Sequence, residues 1–290
     1  MNPQKICILV DSGCDVPENV RRQYDIRVLP LKILYPEGEY LDQVTITAQE
    51  VYDRLERDIP KTSLPDGQTI ENALHQAKLD GYEKALIICI SSGLSGTYNM
   101  VRIICQEQTE LETFVLDTRN ISIGGGIFAV LAARWIEAGI RWDTLVEQLP
   151  KRLGDSKVFF CLDTLEYLHK GGRLGLVATI MGSALNLKPI ISCNDDGVYY
   201  VVGKALGRKR SLARMLELAV QWSKKSEIAD TALLNGDAVA EAEMMKPQLL
   251  AAMEKSELLT EGQISPALVV HTGPGLVGIL IFRGGFSLPA

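Results

Sequence analysis

A stretch rich in serine, threonine and glycine, residues 90–99 with the sequence ISSGLSGTYN, is the segment of the chain most suited to chemistry. Short hydroxyl side chains and glycines let a ligand approach the backbone closely. The apolar spacing after this stretch indicates a helix, and a helix N-terminus offers unpaired N–H groups and a positive dipole end to an anion. Capping of that helix needs one hydroxyl, Ser95 or Thr97. The stretch therefore predicts an anion-binding turn.

Two further residues stand beside glycines. His271 follows an apolar run at 268–270 that predicts a strand, and it precedes a Gly-Pro-Gly turn, which favours contact with a ligand. Arg173 follows a Gly-Gly pair that presents it on a turn. Ser95 and His271 would also suit a hydrolase, although the G-x-S-x-G motif of such enzymes is absent. The sequence shows no histidine pair or His–Cys spacing for a metal, no P-loop and no dinucleotide fingerprint.

The hydrophobic pattern places the serine-rich turn on an α/β scaffold. Residues 84–90 are a continuous apolar run, typical of a strand buried on both faces. Runs at 6–10 and 113–116 also end in short polar segments, and helical patterns follow them. Parallel strands gather their carboxyl ends at one edge of a sheet, where ligands bind. Ser122 and Gly124 follow the third of these runs, and the glycine suits ligand contact and close helix packing equally.

The second half predicts another α/β unit, with a hairpin at 190–193 and 198–202 and further strands at 158–162, 231–234, 268–270 and 277–282. A polar step near Gly154 is the predicted boundary between domains 1–155 and 156–290. Residues 174–187 are apolar almost throughout, which predicts a buried helix. Gly182, a small residue in that run, would leave room for a ligand.

Composition excludes several classes of function. The net charge of −6 and the aromatic content of 6% argue against nucleic-acid binding. The six cysteines form no C-x-x-C pair, so we expect buried thiols in a reducing cytoplasm. We expect no membrane-spanning segment, since no apolar run is long enough, and no signal peptide.

Taken together in chain order, the motifs resemble those of the DegV family of fatty-acid-binding proteins, which includes the FakB subunits of bacterial fatty acid kinase. The resemblance spans the whole chain. It rests on VDS at 10–12, KTSLP at 61–65, SSGLSGTY at 91–98, LEYLHKGGR at 165–173, NLKPI at 186–190 and HTGPG at 271–275.

The resemblance implies a two-domain α/β carrier, not an enzyme, with an N-terminal parallel sheet and a C-terminal mixed sheet. A long-chain fatty acid would lie between the domains, and no other cofactor is implied. The carrier would present the carboxylate to a separate ATP-dependent kinase, which makes acyl phosphate for phospholipid synthesis, with transient contact to a membrane surface. The residues that would bind the carboxylate, by match to the family, are Thr62, Ser95, Gly96, Arg173 and His271. The further pocket residues would be Ser63, Ser122, Gly124 and Gly182.

Two departures from the family pattern bear on the predicted site. Leu64 stands where the family often has glutamine, and Asp66 where it often has serine. Asp66 keeps the helix cap, but a carboxylate at an anion site would weaken binding unless it points away. Two alternatives stay open: a serine-dependent lipid ester hydrolase, and a sugar- or triose-binding kinase subunit in which His271 binds a carbonyl.

Overall fold

The computed structural model describes residues 2–180, 186–253 and 256–289. The strands are β1 (Ile6–Asp11), β2 (Ile26–Leu29), β3 (Lys32–Tyr35), β4 (Gly38–Leu41), β5 (Lys61–Ser63), β6 (Lys84–Cys89), β7 (Glu112–Asp117), β8 (Ser156–Cys161), β9 (Leu187–Cys193), β10 (Tyr199–Leu206), β11 (Ala229–Gly236), β12 (Leu258–Gln263) and β13 (Leu276–Arg283). The helices are α1 (Glu18–Tyr24), α2 (Ala48–Leu55), α3 (Gly67–Leu79), α4 (Thr97–Glu107), α5 (Ile123–Glu137), α6 (Trp142–Gln148), α7 (Glu166–Lys170), α8 (Arg208–Ser223), α9 (Val239–Ala252) and α10 (Pro266–Thr272).

The first sheet is parallel, as the sequence predicts, and its strand order is β2-β1-β6-β7. β1 is buried along its whole length because helices cover both faces of the sheet. Leu9 and Ile87 pack toward α3 and α4, whereas Ile8 and Leu86 belong to the larger core that contains α5. Continuous apolar runs are the expected sequence for strands in this position.

The second sheet is mixed, with the order β10-β9-β8-β13-β11-β12, in which β11 and β12 form the parallel pair. The predicted hairpin is confirmed as the antiparallel pair β9 and β10. Helices α8 and α9 pack on one face of this sheet. Helix α5 contacts β1 and β6 of the first sheet and β8 and β13 of the second. It is apolar nearly all round because both sheets bury it.

The residues from 26 to 34 predict one strand, but the structure divides them between the parallel sheet and a third sheet with the order β4-β3-β5. Pro30 separates β2 from β3, because proline cannot donate a hydrogen bond to a strand ladder. The chain therefore leaves the parallel sheet and starts an antiparallel one. In that sheet Ile33 of β3 pairs with Thr62 of β5.

Two further expectations are wrong in the described residues. The predicted strand at 268–270 is part of α10, which begins at Pro266 and is buried on all sides. A short apolar run fits a buried strand and a buried helix equally, and proline at the first helical position was the discriminating signal. In the described part of the predicted helix over 174–187, Gly175–Ile180 form a short 3-10 helix, and β9 already begins at Leu187. Gly182 lies outside the described residues.

The position of Asp15 shortly before Pro17 predicts a helix cap, but in the structure Asp15 holds two distant segments instead. Its backbone φ is +48°, and its carboxylate accepts hydrogen bonds from Ser122 Oγ and from the backbone N–H of Ser265. Ser265 immediately precedes α10, so Asp15 ties that helix to the first half of the chain. Within the described ranges, no helix combines the length and apolar character needed to cross a bilayer.

Candidate functional site

A cavity lies between α10, the inner face of the second sheet and the polar loops of the first half. The volume of this cavity is about 190 Å³. Apolar cavities of about 150 Å³ stay dry and take up small hydrocarbons. Most of the wall is apolar, including Val158 and Phe160 of β8, Leu280 of β13 and Leu268 of α10. The cavity is therefore suited to an apolar ligand or ligand segment.

One part of the wall is polar, and it is built around a bond between two distant residues. Thr62 Oγ1 and His271 Nε2 are 2.7 Å apart, and both side chains line the cavity. We expected Thr62 in a loop at the edge where parallel strands end, but it lies within β5, which belongs to the antiparallel third sheet. His271 lies near the C-terminal end of α10 and not at the end of a strand.

His271 is held as a neutral imidazole. Burial and the nearby positive charge of Arg173 lower its pKa to about 4. A methyl group on Gly171 would overlap His271 Nδ1, so the glycine allows the α7 end to pack directly on the ring. In the described part of the chain, Nδ1 has no hydrogen-bond partner.

The serine-rich turn places two more groups on the cavity wall, Ser95 and the backbone of Gly96. Ser95 Oγ lies 2.8 Å from Thr97 Oγ1 and accepts a hydrogen bond of 3.3 Å from the Thr97 N–H. Thr97 is fully buried and is the first residue of α4. It does not line the cavity itself, and its bonds orient Ser95, which does. No hydrogen bond from the Gly96 N–H is found within the described residues. The turn therefore offers a hydroxyl and a free N–H at a helix N-terminus.

Arg173 connects the turn to α7. Its Nε donates to the carbonyl of Leu94 at 3.3 Å, and its Nη1 donates to the carbonyl of Gly171 at 2.6 Å. These two bonds use part of the five-donor guanidinium, which lines the cavity. The arginine thus supplies positive charge beside His271 and Ser95.

Carboxylates at the carboxyl ends of two parallel strands hold the serine-rich turn in place by hydrogen bonds. The Asp11 carboxylate accepts the backbone N–H of Ile90 at 2.8 Å, and the Asp117 carboxylate accepts both the N–H and the hydroxyl of Ser92. Burial raises the pKa of Asp11 to about 7. Ser91 Oγ donates to the carbonyl of Gly197, which joins the turn to the β9–β10 hairpin. Most hydroxyls of the serine-rich stretch are therefore structural.

The remaining predicted pocket residues differ in where they lie. Ser63 and Ser122 line the cavity. Gly124 does not line the cavity. A side chain at this position would overlap Val158 and Asn120, so the glycine is needed for close packing. The expected tunnel wall over 174–187 contributes no lining residue within its described part.

The two departures from the family pattern have different consequences. Leu64 lines the cavity, and its Cδ2 would lie 3.3 Å from a side chain built at Gly96, so it places apolar surface beside the polar groups. Asp66 is exposed, caps α3 by accepting the Thr69 N–H at 2.7 Å, and pairs with Lys32 at 2.8 Å. These bonds hold the pKa of Asp66 well below its usual range. Its charge therefore points away from the cavity.

The geometry does not assemble a hydrolytic Ser–His pair. Ser95 Oγ bonds to Thr97 and His271 Nε2 bonds to Thr62 in the described structure. A nucleophile and its base should lie within hydrogen-bond reach of one another. In the described ranges, no group of three or more His, Cys, Asp or Glu side chains is arranged to hold a metal ion.

Sequence reasoning missed Thr97, Gly171 and Gly278 as parts of the site. In the sequence, Thr97 is one of two candidates for capping the helix, and Gly171 belongs to the Gly-Gly pair before Arg173. Gly278 lies on β13 within an apolar run and carries no polar signal. Thr97 orients a neighbouring side chain, and the two glycines leave room for other groups. These contributions depend on neighbours that are distant in sequence or become clear only in the folded structure.

Comparison with known proteins agrees with this architecture. Residues 5–284 match the family model described as an uncharacterised protein of the DegV family. A DegV domain-containing protein of Clostridium acetobutylicum is 39% identical over 280 residues, which cover 97% of this chain and 99% of the relative.

Two solved structures are similar along their whole length. A DegV family protein from Thermus thermophilus, studied for fatty acid binding, has a TM-score of 0.87 and 27% identity, covering 98% of this chain and 100% of its own. A fatty-acid-binding DegV family protein from Streptococcus agalactiae has a TM-score of 0.88 and 26% identity, covering 97% and 99%. The match of the family model, the curated relative and the shared fold together show that this chain belongs to the DegV family.

Proposed function

We propose that the protein binds one long-chain fatty acid between its two domains, residues 1–155 and 156–290, and presents the carboxylate to a separate ATP-dependent kinase. The observation that carries this proposal is a cavity with an apolar wall that ends at Thr62, Ser95, Arg173 and His271. The fatty acid binding of the Thermus and Streptococcus relatives supports the same ligand class.

The polar groups suit a carboxylate because they supply donors and positive charge. Thr62, Ser95 and the Gly96 N–H each offer one hydrogen-bond donor, and Arg173 has donors left over from its two protein bonds. A buried carboxylate without partners is strongly disfavoured, and bonds to a charged group are about twice as strong as neutral ones. We propose that these groups bind the two carboxylate oxygens.

The state of His271 decides whether Thr62 can act as a donor. We infer that the ring proton is on Nε2, which then donates to Thr62 Oγ1 and leaves the threonine proton free for the ligand. The 2.7 Å distance supports this tautomer, as does an Nδ1 that has no hydrogen-bond partner among the residues that the structure describes. His271 is then a positioning residue for Thr62.

The apolar wall supplies the free energy of binding. Burial of one methylene is worth about 0.8 kcal/mol, so a chain of about sixteen carbons gains on the order of 10 kcal/mol before ordering costs. A sugar would leave most of its hydroxyls unpaired against this wall. The apolar lining therefore favours a lipid over the sugar or triose alternative.

Native mass spectrometry tests the ligand class. The purified protein is delipidated, incubated with equimolar palmitate and ribose phosphate, and measured intact. We expect a mass increase of one palmitate per chain and no covalent adduct with a serine-reactive phosphonate. Sugar phosphate binding would contradict the proposal, and a phosphonate adduct would favour the hydrolase.

The kinase step is tested separately. Wild type and Arg173→Ala are both saturated with palmitate and mixed with an ATP-dependent fatty acid kinase, and acyl phosphate is trapped with hydroxylamine. We expect slower transfer from the variant because the charge beside the carboxylate is lost. Equal rates at saturation would remove Arg173 from the transfer step.

A further inference from the structure

The wall at one end of the cavity is thin. Leu234 of β11 and Ile264, which precedes α10, border both the cavity and a surface groove of about 700 Å³. Both residues are buried, with exposed fractions of 8% and 3%, so their side chains fill the space between the two. We name Leu234 and Ile264 the partition.

The partition lies away from the polar groups. Ile264 stands before the N-terminal end of α10, whereas His271 lies near its other end, and the helix rises about 7.5 Å from Pro266 to His271. Leu234 pairs directly with Gly278, which lines the apolar part of the cavity. A fatty acid with its carboxylate at Thr62 and His271 would therefore direct its tail toward the partition.

The backbone around the partition is fixed, so its side chains determine whether the cavity is closed. The Ile264 N–H donates to the carbonyl of Asn235 at 2.9 Å, and the next N–H, from Ser265, donates to Asp15 at 3.0 Å. Beyond the partition the groove offers apolar surface at Val44, which is 65% exposed. The groove is also lined by charged side chains, among them Glu18 and Arg21, so an alkyl chain that passed the partition would meet Val44 beside polar surface.

We propose that Leu234 and Ile264 set the longest acyl chain that the cavity accepts. Truncation of either residue joins the cavity to the groove, so that the end of a longer chain passes outward. This inference rests on the proposed fatty acid binding and specifies its selectivity. Each methylene that gains apolar surroundings raises affinity about fourfold.

Titration with myristate, palmitate, stearate, arachidate and behenate tests the partition in Leu234→Ala and Ile264→Ala. The matched control is Leu233→Ala, since Leu233 is the next residue of the same strand, is buried to 2% exposure and faces the opposite core with α8 and α9. In wild type we expect affinity to rise with length to a limit and then to fall.

In the partition variants we expect the limit to move to longer acids, with behenate gaining at least tenfold relative to palmitate. The control should keep the wild-type limit. Should an alanine variant fail to fold, Ile264→Val tests the same shift with a smaller truncation. An unchanged limit in variants that bind palmitate overturns the partition alone, whereas a wild type that binds no acid overturns the proposed function as well.

Discussion

Gly278 gives a direct way to fill the cavity without touching its polar groups. It lies on β13 between Leu276 and Leu280, whose side chains belong to the core that borders the cavity. A Cβ at Gly278 would lie 3.5 Å from Phe160 Cβ and 3.6 Å from Leu276 Cδ2, which are ordinary contact distances. Gly278→Val therefore places its side chain in space now open to a ligand.

The expected effect follows from the methylenes displaced. If the three added carbons exclude about two to three methylenes of the ligand, a long acid loses about 1.6–2.4 kcal/mol of binding free energy. This loss corresponds to roughly 15- to 60-fold in affinity. The empty variant should be as stable as wild type or more stable, because glycine inside a strand is unfavourable and valine suits a strand.

The assay is a titration of wild type and variant with decanoate and stearate, together with urea unfolding of the ligand-free proteins. Val277→Leu is the matched control, since Val277 is adjacent on β13, faces the core with α8 and α9, and does not line the cavity. We expect stearate to lose much more than decanoate in Gly278→Val alone. Equal losses for both acids, or none, would refute the assignment of the cavity to the acyl chain.

Two further predictions concern charge. Arg173→Ala should raise the pKa of His271, because Arg173 opposes protonation of the imidazole; an NMR titration measures this, and an unchanged pKa contradicts it. Burial raises the pKa of Asp42, which accepts the Ser12 hydroxyl and the Ala267 N–H, to about 6 from an ordinary 3.8. The raised value means that this group's contribution to stability is present below about pH 4 and is lost as pH rises through 6. The loss is about 3 kcal/mol. In urea unfolding across this range, Asp42→Asn should therefore show a smaller fall in stability than wild type, and identical slopes would contradict the prediction.

The serine-rich turn was predictable because a continuous apolar run precedes it and small polar residues follow that run directly. The apolar run before Ser91 could form a strand buried on both faces, and parallel strands bring their carboxyl ends to one edge. The sequence thus indicated that residues from the serine-rich turn would meet others at this edge. The glycine-flanked positions of Arg173 and His271 also marked them in the sequence, the family resemblance added Thr62, and the structure places all three on the same cavity as Ser95.

The elements that carry two of these residues were not predictable from periodicity. Thr62 lies in β5, three residues long, which exists because β3 provides a partner far away in sequence. His271 lies on α10, where burial on every side removes the alternation that separates helix from strand. Gly124 shows the converse case, since a glycine needed for packing against Val158 has the same appearance in sequence as one that binds a ligand.

The central claim is that Thr62 and Ser95 bind the fatty acid carboxylate. Its most direct test is a titration of palmitate and methyl palmitate against wild type, Thr62→Val, Ser95→Ala and the double variant, with Thr62→Ser as the control that keeps the hydroxyl. A hydrogen bond to a charged group is worth about 1.5–3 kcal/mol, so each single loss should weaken palmitate binding about tenfold or more.

Because both proposed bonds go to one carboxylate, the double variant should differ from the sum of the single effects. Methyl palmitate should bind wild type more weakly than palmitate and lose less on either substitution, while Thr62→Ser stays near wild type. Palmitate affinities in Thr62→Val and Ser95→Ala that equal the wild-type value would place the carboxylate elsewhere and contradict the account.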